Sequence, residues 1–169
     1  SKAIAIVPSG ASVGSHEAFE LRDIEDKKYL GKSVLKAIKK VNGEISKALT
    51  GFSAEDQKRI DKTLIELDGT KQKKRFGANA ILSVSLASNK VAAISKNIPL
   101  YKNIGNNKTL PLPLMNIING GSHANNSLRI QEFMIRPNKA KNFKDAINIC
   151  FLVIQKLKLL MSNKNLSTT

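Results

Sequence analysis

Residues 110 to 137 read L-P-L-P-L-M-N-I-I-N-G-G-S-H-A-N-N-S-L-R-I-Q-E-F-M-I-R-P, and the rest of the chain is best understood outward from them. Two apolar runs, Leu112 to Ile118 and Ile130 to Ile135, flank a loop of Asn, Gly, Ser and His, which predicts strand, polar loop, strand. The paired Gly120 and Gly121 permit backbone geometry closed to other residues. His123, Gln131 and Glu132 bring a titratable ring, an amide and a carboxylate to one strand end. On residue type alone Glu132 is open between a satisfied structural carboxylate and an acid/base group. His123 reads as a site residue or as a surface histidine. Because strand side chains alternate, one of Gln131 and Glu132 is expected to face the packed side unless the strand ends at a site.

Upstream, Ala3 to Val7 is a β-prone run stopped by Pro8, and the chain is expected to begin inside an element. The loop Ser9 to Gly14, with its glycines and serines, can turn backbone N–H groups and hydroxyls toward an anion or a hard cation, although an ordinary turn explains it as well. Glu17 to Arg22 alternates like a half-buried strand. A helix is predicted after Ser33, with Val34, Ile38, Val41, Ile45 and Leu49 on one face and Gly51 at its end. Gly31-Lys32-Ser33 is not a phosphate-binding P-loop, because Asp26 stands where the upstream glycine belongs.

A second helix is predicted from Ser53, presenting Ile60, Leu64 and Leu67 and ending at Asp68-Gly69. A third, rich in Ala and Ser, runs from Gly77 to about Ser95 with Ile81, Leu82, Leu86 and Val91 as larger anchors. Pro99 stops it, and Gly105 to Asn107 mark a linker, so the domains are expected to be 1–108 and 109–169. After the two strands, Asn142 can cap a helix striped with Phe143, Ile147, Cys150, Ile154, Leu157 and Met161. Cys150 in that stripe reads as a buried apolar residue rather than a nucleophile.

Composition narrows the classes. Lys and Arg total 28 against 13 Asp and Glu, a formal charge of +15, which raises nucleic acid as a partner. The charge is spread over helix faces with one dense run at Lys71, Lys73, Lys74 and Arg75, and aromatics are 5%, too few for a stacking platform, so a solvated basic surface is preferred. With 1 cysteine there is no disulfide framework or Cys-based metal cluster. No run approaches the roughly 18 apolar residues of a membrane span, and a cytoplasmic protein is expected.

The run N-G-G-S-H-A followed by Q-E-F-M-I resembles the first two barrel strands of the enolase family, the phosphopyruvate hydratases. P-S-G-A-S-V-G at 8–14, L-D-G-T at 67–70 and G-A-N-A-I-L at 77–82 fall in that family's order and at about its spacing, and the resemblance covers essentially the whole chain. It implies an α+β amino-terminal enolase-type domain followed by the first strands and helix of an incomplete β/α barrel.

The resemblance also implies a reaction, the Mg²⁺-dependent reversible dehydration of 2-phosphoglycerate to phosphoenolpyruvate, and a homodimer where the fold is complete. By matching motif, Ser12 would ligate the second Mg²⁺ as a mobile loop closes, with Ala11 beside the substrate. His123 and Gln131 would sit by the substrate, and Glu132 would bind and orient the leaving hydroxyl. Val13 stands where the family usually has threonine, and Arg129 is an uncommon charge just before the Q-E pair. In the family's order, the carboxylate ligands of the first Mg²⁺ and the base lysine come after Thr169, and an opening strand comes before Ser1. The chain is therefore expected to be truncated at both ends and inactive alone. The alternatives are a non-catalytic basic binding module or the product of a decaying gene.

Overall fold

A helix leaves its first backbone N–H groups without partners inside the helix, so what caps it often dictates where it starts. In the computed structural model, which describes residues 1–10 and 12–166, the first cap comes from far upstream. Leu35 and Lys36 donate their N–H groups to Asp23 at 2.6 and 3.0 Å, and the Ser33 hydroxyl steadies the same carboxylate at 2.5 Å. Helix α1 (Leu35–Lys40) therefore opens one residue later than a start directly after Ser33. It passes through a π-helical turn, Val41–Ile45, into α2 (Ser46–Leu49). The expected stripe holds except at one position: Ile45 is buried and Val34, Val41 and Leu49 pack against the core, whereas Ile38 stays 48% exposed and Ala37 is buried instead. Ala37 shares the buried cluster with Ala80 of α4 (Ala78–Ser95), where small side chains allow close helix approach.

Helix α3 (Gln57–Asp68) is capped by Asp56, which accepts from Arg59 N–H at 3.2 Å; Ser53 instead accepts from Glu55 N–H at 3.2 Å and shapes the turn before it. Ile60 and Leu64 are buried, and Gly69 at φ +68° closes the helix in the left-handed conformation. Helix α4 keeps part of its expected anchoring, with Ile81 packed against the core. Its fully buried residues are Ala80, Ala92 and Ala93, while Leu82 and Leu86 face outward. Beyond Pro99, which starts a helix as readily as it stops one, lies a short α5 (Leu100–Ile104) that periodicity did not reveal.

Neither amino-terminal strand forms among the described residues. Ile4 and Ile6 are exposed. Glu17 to Arg22 has its backbone satisfied in other ways: Phe19 N–H donates to Gln72 O at 2.6 Å and Ala78 N–H to Phe19 O at 2.7 Å. The Asn79 side chain takes both backbone groups of Leu21, accepting from its N–H at 3.1 Å and donating to its carbonyl at 3.0 Å. An alternating pattern becomes a strand only against a neighbouring backbone, and here an amide side chain stands in for one.

These elements belong to the first of two units, Ser1–Asn106, whose core gathers Ala37, Ile45, Ile60, Leu64, Phe76 and Ala80. The second unit, Asn107–Thr169, holds β1 (Met115–Asn119), β2 (Glu132–Ile135) and α6 (Phe143–Asn163). β1 is shorter than its apolar run because Pro113 lies in that run and lacks an N–H for the ladder. The two strands pair antiparallel, Met115 opposite Ile135 and Asn119 opposite Glu132, with a bulge at Ile117. Asn142 caps α6 by accepting from Asp145 N–H at 2.9 Å. Ala146 and Cys150 are its fully buried residues, and Phe143 and Ile147 of the expected stripe remain 40% and 38% exposed.

Candidate functional site

The loop between β1 and β2 folds back over the strand ends because its backbone continues the ladder and then turns. Gly120 N–H donates to Gln131 O at 3.0 Å, adding one rung beyond Asn119, and Gly121 N–H donates to Leu128 O at 2.7 Å. A 3₁₀ turn, Gly121–His123, follows, closed by His123 N–H to Gly120 O at 3.0 Å. Asn126 ties the far side of the loop down, its amide donating to Asn119 O at 3.0 Å and its carbonyl oxygen accepting from Leu128 N–H at 3.0 Å.

The two glycines serve different needs. Gly121 sits at φ +53°, the left-handed region, with the nearest atoms to an added Cβ at 3.5 Å. Gly120 has ordinary extended dihedrals, but a Cβ there would lie 2.4 Å from Ile130 O and 2.6 Å from Leu128 Cβ. The expectation of special backbone geometry holds for Gly121, whereas at Gly120 the requirement is space.

This turn delivers His123 to the start of β2. Gln131 Nε2 lies 2.6 Å from His123 Nε2, and Glu132 Oε1 lies 3.1 Å from His123 Nδ1. Residues adjacent in a strand point to opposite faces, yet both side chains reach one ring. Gln131 is in a bend and the strand begins only at Glu132, so alternation has not yet taken hold. The ring and the carboxylate are partly shielded, their side chains 21% and 31% exposed. The arrangement can bind and orient a polar ligand and exchange a proton through the ring or the carboxylate.

The other site residues named from the sequence fall elsewhere. Ser12 belongs to the first unit, where it lines a small cavity with Val7, Glu17, Asn79 and Leu82. Ala11 lies outside the described residues. His16 is exposed. The basic run is partly committed to the fold: Arg75 donates to Leu67 O, pairs with Glu44 and lies 4.8 Å over the Phe76 ring, and Lys73 donates to Thr70 O at 3.0 Å. Among the described residues no group of three or more His, Cys, Asp or Glu could hold a metal ion. No helix of the described residues is long and apolar enough to cross a membrane.

Sequence reading passed over the polar residues that build the scaffold. Asp68 is 3% exposed, and its carboxylate accepts from Thr70 N–H at 3.0 Å, from the Thr70 hydroxyl at 2.5 Å and from Phe76 N–H at 2.8 Å. It thereby pins the loop that leads into α4, where Gly77 at φ +87° leaves no room for a Cβ beside Leu21. The available signal was Asp-Gly-Thr directly after an apolar helix face, which marks a helix end with a side chain free to serve the following turn.

Comparison with known proteins places both units. The model of the enolase amino-terminal domain matches residues 1–104, and that of the enolase carboxy-terminal TIM-barrel domain matches residues 107–169. Enolase from Pelagibacter ubique (strain HTCC1062) is 63% identical, over 99% of this chain and 40% of its own length. The chain thus spans about 40% of the length of this curated relative.

Proposed function

The chain belongs to the enolase family, and from that premise we propose that it takes part in the reversible dehydration of 2-phosphoglycerate to phosphoenolpyruvate, a step of glycolysis carried out in the cytoplasm. The observation that carries this reading is the convergence of Gln131 and Glu132 on opposite edges of the His123 ring. Loss of a β-hydroxyl as water needs a group that orients the hydroxyl and an acid that gives it a proton as it departs, and a carboxylate that accepts its hydrogen bond is suited to the first task. Glu132 takes that role, with His123 and Gln131 against the substrate.

The described residues do not by themselves fit a Mg²⁺ ion. A hard cation of this kind requires about six oxygen ligands, and Ser12 offers a single neutral hydroxyl with no acidic cluster among the described residues. The 169-residue chain alone is proposed to be inactive and to need the remaining part of an enolase, within a homodimer, for turnover.

The test is a chimera joining this chain to the part of the Pelagibacter enolase that it does not cover, assayed for phosphoenolpyruvate by its ultraviolet absorbance. The chimera should turn over 2-phosphoglycerate and the 169-residue chain should not. Glu132→Gln in the chimera should lower kcat by about 10²- to 10⁴-fold, the range for a group engaged in proton or leaving-group transfer. Unchanged kcat would remove Glu132 from the chemistry. An inactive chimera that is folded and dimeric would overturn the assignment.

A further inference from the structure

The two hydrogen bonds to His123 make opposite demands on the ring. Glu132 Oε1 at 3.1 Å is a carboxylate oxygen and can only accept, so Nδ1 must carry a proton. Gln131 Nε2 at 2.6 Å is an amide nitrogen and can only donate, so His123 Nε2 must present a lone pair. One protonation state satisfies both: the neutral imidazole with its proton on Nδ1. The imidazolium would set N–H against N–H on the Gln131 side, and the other neutral tautomer would fail on both sides.

We infer that Gln131 and Glu132 together select the Nδ1–H tautomer of the His123 ring, which makes Gln131 a positioning residue whose amide turns the ring's proton toward the carboxylate. Glu132, on β2, is a titratable group against the ring, and Arg129 is the nearest cation in the loop sequence. The lock follows from local chain geometry, because the bend at Gln131 and the 3₁₀ turn at Gly121–His123 set the two partners on opposite ring edges. An anionic ligand could take Nε2 as a donor only if Gln131 gave up its bond and the ring gained a proton there. The inference concerns the ring that the proposed function sets beside the substrate, but it rests on the two hydrogen bonds alone.

The experiment is ¹⁵N spectroscopy of the histidine rings in the full chain, with His16→Gln removing the other histidine signal. It is run without substrate or metal and above the pH at which the ring is neutral. Nδ1 should show the shift of a protonated, pyrrole-type nitrogen and Nε2 that of an unprotonated, pyridine-type one. Gln131→Glu replaces the donor with an acceptor and should move a proton onto Nε2, whereas Gln131→Met should weaken the preference. A wild-type ring with its proton mainly on Nε2, or a near-even mixture of the two tautomers, would overturn the inference. So would a folded Gln131→Glu chain whose Nε2 stays bare. An active chimera with the wrong tautomer sinks only this inference, and an inactive chimera with the right one sinks only the proposed reaction.

Discussion

At the residue scale, three positions carry more of the structure than their neighbours. Gly120→Ala forces a Cβ to within 2.4 Å of Ile130 O, so the loop must open and His123 must leave its partners. Gly121→Ala has room and incurs the left-handed backbone cost of about 1–2 kcal/mol. In urea melts of the chain, Gly120→Ala should be the more damaging of the two; the reverse order would show that φ rather than space governs the loop. Asp68 is a buried carboxylate with N–H and hydroxyl partners, and Asp68→Ala should cost about 1–3 kcal/mol by leaving Phe76 and Thr70 donors unpaired. Burial alone would raise its pKa, but the Thr70 hydroxyl and the Phe76 and Thr70 N–H groups outweigh it and hold the carboxyl below its ordinary 3.8. The linked stability is therefore present above pH 3.8 and is lost as pH falls through the depressed native value. The gap between wild type and Asp68→Ala should shrink in acid urea melts, and a gap constant down to strongly acid pH would contradict this account.

At the element scale, caps decide where helices start more than apolar spacing does. Asp56, not Ser53, accepts at the amino terminus of α3, so Asp56→Ala should cost about 1 kcal/mol and Ser53→Ala less, as read from denaturation midpoints. Equal losses would return the cap to a shared Ser53 and Asp56 box. Asn79 acts on an extended segment as a cap acts on a helix. Replacing it with leucine removes both partners of Leu21, and amide exchange at Leu21 should accelerate while the buried amide of Leu64 stays protected. The burial of alanines along α4 shows why its larger side chains misled: in a helix wedged against neighbours, the smallest face goes inside.

At the scale of the whole molecule, the proposed division between 108 and 109 falls in a stretch of Gly, Asn, Lys and Thr with exposed residues, where proteolysis concentrates. Brief proteolysis of the native chain should cut between Gly105 and Thr109 before it cuts inside α3 or α4, and early cuts within those helices would argue against the division. The three amino-terminal helical segments, the strand-loop-strand around Gly120, the long helix after Asn142 and the gathering of His123, Gln131 and Glu132 at a strand end were legible in the sequence. They depend on short-range patterns of apolar spacing, Gly, Pro and Asn that act within a few residues. Tertiary structure alone decided that Asp23 would cap a helix 12 residues on, that Asn79 would serve Leu21 from 58 residues away, and that the amino-terminal alternating segments would remain without a strand partner. A backbone or side-chain polar group is indifferent to the sequence distance of its partner; it needs only a partner within about 3 Å, and which groups come that close is settled by packing.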